Sequence, residues 1–93
     1  MFIGTVKITL YAPWIHSLKE KRMIVKSLCA KLRNQFNISV VEMEEQDVHQ
    51  TMVLGVACIT QTASLADSVI EKVIQFLEEN TEAQLTKIEK ELR

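Results

Sequence analysis

Ala83-Gln84-Leu85-Thr86-Lys87-Ile88-Glu89-Lys90-Glu91-Leu92-Arg93 is the stretch that decides the fold. Leu85, Ile88 and Leu92 recur at i, i+3 and i+7, the spacing of one helix face, whereas Thr86, Ile88, Lys90 and Leu92 alternate as one face of a strand. Periodicity leaves both readings open, so the choice falls to what precedes the segment. Residues 63–79 carry Ala66, Val69, Ile70, Val73 and Leu77 on one helical arc, Asp67, Glu71 and Glu78 along another face, and Asn80 as the C-terminal cap. Before that helix, Met52 to Thr60 (MVLGVACIT) is apolar on both faces, the pattern of a strand central in a sheet.

Further back the same alternation of elements repeats. Ile38 to Glu44 (ISVVEME) is short and β-branched, a strand joined to the central one by polar residues 45–50. Residues 17–36 form a helix that opens on a capping box, Ser17 with Glu20, and buries Leu18, Val25, Leu28, Cys29, Leu32 and Phe36. Asn34 and Asn37 mark its end. Residues 2–11 alternate with period two: Phe2, Gly4, Val6, Ile8 and Leu10 on one face, Thr5, Lys7, Thr9 and Tyr11 on the other. If the tail is a strand, the chain reads βαββαβ. That predicts an α+β, ferredoxin-like domain spanning residues 1–93, a four-stranded antiparallel sheet with two helices on one face and its first and third strands central.

Composition agrees with such a domain. The chain has 93 residues, 47% hydrophobic and 25% charged, with two Gly and one Pro, so long regular elements and few loops are expected. The opening segment has no basic and apolar signal pattern, and no apolar run reaches the ~18 residues that span a bilayer. A cytoplasmic protein without membrane contact is the resulting expectation. Cys29 and Cys58 lie far apart in different elements with no metal-ligand spacing around them, and read as reduced core thiols.

The formal charge of −1 excludes a globally basic coat for nucleic acid, but the charge is not spread evenly. Lys19, Lys21, Arg22, Lys26, Lys31 and Arg33 stand between Ser17 and Phe36 against Glu20 alone, a balance of +5 that leaves −6 elsewhere. At ~100° per residue, Lys19, Arg22, Lys26 and Arg33 share one arc beside the core stripe, forming a row roughly 20 Å long. Such a row matches a run of phosphates or an acidic protein surface. Trp14 and His16 precede it. Trp14 either stacks on a base beside these cations or plugs the end of the core.

Other constellations are weaker. Glu42, Glu44, Glu45, Asp47 and His49 crowd one turn, yet no second cluster completes a metal site, so a solvated acidic hairpin is expected, with no metal and no cofactor. Ser17 has no carboxylate-oriented base or oxyanion loop near it, and its capping role accounts for it. No glycine-rich phosphate loop exists; Gly55 suits close packing on a central strand. Catalysis is not expected. Ile3, Tyr11, Val53, Ala57 and Ile59 would lie on the sheet face away from the helices, which predicts a homodimer through that face.

His16-Ser17-Leu18-Lys19-Glu20-Lys21-Arg22, with Lys26-Ser27-Leu28, Leu32-Arg33-Asn34-Gln35-Phe36-Asn37, Ser39-Val40, Gln46-Asp47 and Leu54-Gly55-Val56-Ala57, resembles the bacterial YlxP-like family of small proteins of unknown function. The resemblance implies a ferredoxin-like fold, which favours the strand reading of the tail. It also implies an RNA- or ribosome-linked role, because members are often encoded near transcription elongation and translation initiation factors and a ribosome maturation factor. Ser17, Lys19, Lys21, Arg22, Lys26 and Arg33 match the family pattern. After Gln46-Asp47 the family commonly carries an aromatic and an Arg; His49 and Thr51 stand near those places here. The expected function is therefore non-enzymatic binding of structured or ribosomal RNA through Lys19, Arg22, Lys26 and Arg33, with Lys21 and His16 at the start of the row. The alternative is a homodimeric protein-interaction module.

Overall fold

A computed structural model describes residues 1–43 and 48–93. Six elements follow in order: β1 (Phe2–Tyr11), α1 (Leu18–Gln35), β2 (Ser39–Glu42), β3 (Thr51–Thr60), α2 (Ala63–Asn80) and β4 (Gln84–Leu92). The strands form one antiparallel sheet in the order β2-β3-β1-β4, so β1 and β3 are central, as the fold's usual strand order and the apolar pattern of β3 predict. Both helices cover one face. Val6, Ile8 and Leu10 of β1 and Met52, Leu54, Val56 and Cys58 of β3 meet Val25, Leu28 and Leu32 of α1 and Ala66, Ile70, Val73 and Leu77 of α2 in a single core. The helices also meet each other where Phe36 and Phe76 pack edge to face with ring centroids 5.7 Å apart. Gly4 lets α2 lie close, since a Cβ there would stand 3.1 Å from that of Ala66.

The tail is a strand with one irregularity. Thr9 faces Lys87 while Leu10 faces Leu85, so Thr86 is an extra residue, a β-bulge. Its hydroxyl donates to the Thr9 carbonyl at 3.3 Å. Leu85, Ile88, Lys90 and Leu92 pair with Leu10, Ile8, Val6 and Gly4, which all face the helices. The alternation expected from sequence put Thr86 on that face; Leu85 takes the place instead. One inserted residue therefore converts strand spacing into i, i+3, i+7, which is why the segment imitates a helix.

Smaller corrections concern element ends. β2 spans Ser39–Glu42, shorter than the expected 38–44, and Glu44 lies outside the described residues. Asn34 stays within α1, whose cap is Phe36 in extended conformation. Asn80 is the last residue of α2, with Thr81 as cap donating its N–H to Leu77 at 3.1 Å; the Asn80 side chain donates to the Phe76 carbonyl at 2.9 Å. Thr62 caps the start of α2 by accepting the Leu65 N–H.

Candidate nucleic-acid interface

Ser17 sets the start of α1. Its backbone is extended and its Oγ accepts the Glu20 N–H at 3.1 Å, the half of the expected capping box that satisfies a free helical donor. From there the helix places Lys19, Arg22, Lys26 and Arg33 on one flank, all exposed. Arg33 shows where that flank lies: its Nη2 donates to the Val40 carbonyl of β2 at 2.9 Å. The Met43 N–H bonds to Val53, and hydrogen-bonded and open pairs alternate in an antiparallel ladder, so Val40 turns its backbone groups outward. Arg33 thus covers an open edge, and the cationic row runs along the β2 side of the sheet. Lys19, Arg22 and Lys26 form no ion pair among the described residues.

Lys21 does not belong to the row. It is 1% exposed, the one charged residue among the fully buried side chains described. Its Nζ donates to the Val48 carbonyl at 2.7 Å and lies 3.3 Å from Glu42 Oε2. The Glu42 contact is ionic rather than a directed hydrogen bond, since Oε2 is buried without a hydrogen-bond partner. The sequence carried the signal: Lys21 precedes Val25, Leu28 and Leu32 by four, seven and eleven residues, which places it on the core stripe. A long stem can fill that stripe while its ammonium reaches β2. Glu42 is accordingly a partner for Lys21 rather than part of a solvated acidic hairpin. Glu44, Glu45 and Asp47 of that expected hairpin lie outside the described residues.

Trp14 is also placed apart from the cations. It is 42% exposed and lines a groove of about 400 Å³ with Met23, Ile24, Ser27, Leu28 and Lys31 of α1 and residues 80–82 after α2. Met23, Ser27 and Lys31 lie roughly 120° around α1 from Arg22, Lys26 and Arg33. The indole therefore neither seals the core nor stacks beside the row. His16 is exposed one residue before the cap, at the Lys19 end. Cys29 lies beneath the flank, and burial pushes its thiol above the ordinary value, with Arg33 opposing and Glu42 reinforcing the shift. A thiol held in that form is not a nucleophile. Among the described residues no three His, Cys, Asp or Glu side chains gather where a metal could bind.

A family model described as a protein of unknown function, DUF503, matches residues 3–90. The chain belongs to the DUF503 family. A relative, the uncharacterized protein YlxP of Bacillus subtilis (strain 168), is 30% identical over 70 residues, 75% of this chain and 76% of the relative. Among solved structures, a de novo designed protein with a ferredoxin fold superposes with a TM-score of 0.60 at 19% identity, covering all of this chain and 86% of the other. That likeness concerns the fold alone. The ferredoxin-like fold of this DUF503 chain thus stands on its own topology and on an independent match. No described helix is long and apolar enough to cross a membrane.

Proposed function

We propose that the protein binds structured RNA, ribosomal RNA first, through the phosphate contacts of Lys19, Arg22 and Lys26, with His16 at one end of the row. The observation that carries this reading is three exposed cations without an ion pair on one flank of a chain whose net charge is −1. Arg33 contributes less, because its guanidinium already serves Val40. Lys21 contributes nothing directly, because it is buried. Phosphate contacts position a protein without reading sequence, so binding to folded RNA with slight sequence preference follows. This role is non-enzymatic and places the protein in the cytoplasm.

The test is co-sedimentation with ribosomal particles across a salt series, comparing the wild type with Arg22→Glu/Lys26→Glu. Both positions are solvent-facing, so the variant is expected to keep the fold and lose retention. Unchanged retention would sink the proposal. Retention that survives RNase points instead to an acidic protein partner on the same row.

A further inference from the structure

The two edges of the sheet are finished differently. On β2 the Arg33 guanidinium covers the outward carbonyl of Val40. β4, at the other edge, has no strand beyond it and lies farthest from residues 44–47, which join β2 to β3. Ile3 and Arg93 exchange both backbone hydrogen bonds, at 2.7 and 2.8 Å. Bonded and open pairs alternate along an antiparallel ladder, so Ile88, Lys90 and Leu92 turn their N–H and C=O groups away from β1, where they meet no hydrogen-bond partner among the described residues. Their side chains lie on the helix face, yet Ile88 is 43% and Leu92 51% exposed, because α2 packs over β1 and β3 more than over β4.

We propose that β4 pairs antiparallel with β4 of a second copy, centred on Ile88, giving one continuous sheet with the helices of both copies on the same face. Charge selects this register. A two-fold axis normal to the sheet sets one residue of β4 opposite its own equivalent, and centring on Lys87, Glu89, Lys90 or Glu91 opposes like charges at that residue. Centring on Ile88 sets Lys87 opposite the partner's Glu89, Glu89 opposite the partner's Lys87, and Lys90 opposite the partner's Thr86. Lys87 already lies 3.4 Å from Glu89 of its own strand, so the four charges form a square of alternating sign. Ile88 is also a residue with outward backbone groups, so the central pair exchanges both of its hydrogen bonds.

Edges are commonly shielded by a bulge or by an inward-pointing lysine. Here the bulge at Thr86 sits where the ladder ends, and Lys90 is turned onto Asp67 at 3.8 Å and onto Glu71, so neither device stands in the way. With β1 next to β4 in each copy, the two α2 helices stand about 14 Å apart, three strand spacings of ~4.8 Å, which exceeds the roughly 8–10 Å of packed helices. A ladder about 17 Å long covers much less than the ~800 Å² per copy of a standard interface. A reversible dimer with a Kd of about 100 µM is therefore expected. This inference does not rest on the RNA reading, because the cationic row lies at the β2 edge.

Sedimentation velocity on the full chain tests it, with the wild type expected to pass from monomer to dimer between about 10 µM and about 1 mM. Ile88→Pro leaves the monomer's own ladder intact, since the lost N–H points outward, and should abolish association. Lys87→Glu and Glu89→Lys each turn two opposite-charge contacts into two like-charge ones and should each weaken self-association about tenfold. Their equimolar mixture restores both contacts, so it should form a heterodimer at wild-type concentrations, and it remains a probe if Ile88→Pro fails to fold. Hydrogen exchange gives a second readout: the Ile88 amide should gain protection as the dimer forms, whereas that of Glu89 is already bonded to β1 in the monomer. A wild type that stays monomeric at about 1 mM overturns the proposal. So does a dimer indifferent to Ile88→Pro, which places the contact elsewhere, or a mixture of folded variants no tighter than either alone.

Discussion

Lys21 shows how a single side chain can look functional in sequence and be structural in space. Within a run of cations it reads as one more phosphate ligand, yet it holds Val48 and Glu42 against α1 and so ties the start of the helix to β2 and to the segment leading into β3. Breaking a buried pair by removing one partner costs up to ~3–5 kcal/mol, and the partial exposure of Glu42 lowers this. Lys21→Met, which keeps the stem, is therefore expected to destabilise by about 2 kcal/mol in urea unfolding, with Lys21→Ala worse by the lost packing. RNA retention per folded molecule should not change; a selective loss of binding by a fully stable Lys21→Met would return Lys21 to the interface. Cys29 and Cys58, at 6% and 4% exposure, should resist iodoacetamide at pH 7 in the folded protein and react on unfolding. The raised thiol of Cys29 works in the same direction, because alkylation needs the thiolate.

Elements with a single period were legible from the sequence, and those with a mixed one were not. β1 and both helices repeat one spacing from end to end, so their core faces follow directly, whereas β4 changes face at Thr86 and so carries two spacings at once. The order of the other elements, with the family resemblance, chose between them. The bulge makes a sharp prediction, because Thr86 is the residue without a partner in the ladder. Deleting Thr86 leaves Leu85 opposite Leu10 and Lys87 opposite Thr9, so the fold should survive with a loss of no more than about 2 kcal/mol. Deleting Glu89 instead turns Lys87 and Ile88 to opposite faces relative to the rest of the pairing, or moves Lys90 off Asp67 and Glu71. That deletion should cost clearly more, and equal melting temperatures for the two would refute the register. At the other end of the chain's architecture, Ser17→Ala removes the α1 cap and should cost about 1 kcal/mol. The candidate site was half legible for a related reason: a helical wheel separates Lys19, Arg22 and Lys26 from the core, but it does not show that Arg33 bends to an edge carbonyl or that Trp14 lies on the far flank.

At the scale of the whole molecule, the net charge of −1 conceals a division of labour between two sides of one sheet. The helix side offers the cationic row along β2; the other side offers alternating charges on β4 and apolar side chains on β2 and β3. Salt dependence measures how much of that row is used. Three phosphate contacts give a slope of log affinity against log salt of about −2 to −3. Arg22→Glu/Lys26→Glu should flatten the slope while leaving sedimentation of the free protein unchanged. A wild-type slope near zero, or the same slope for the variant, would remove Lys19, Arg22 and Lys26 from the RNA contact.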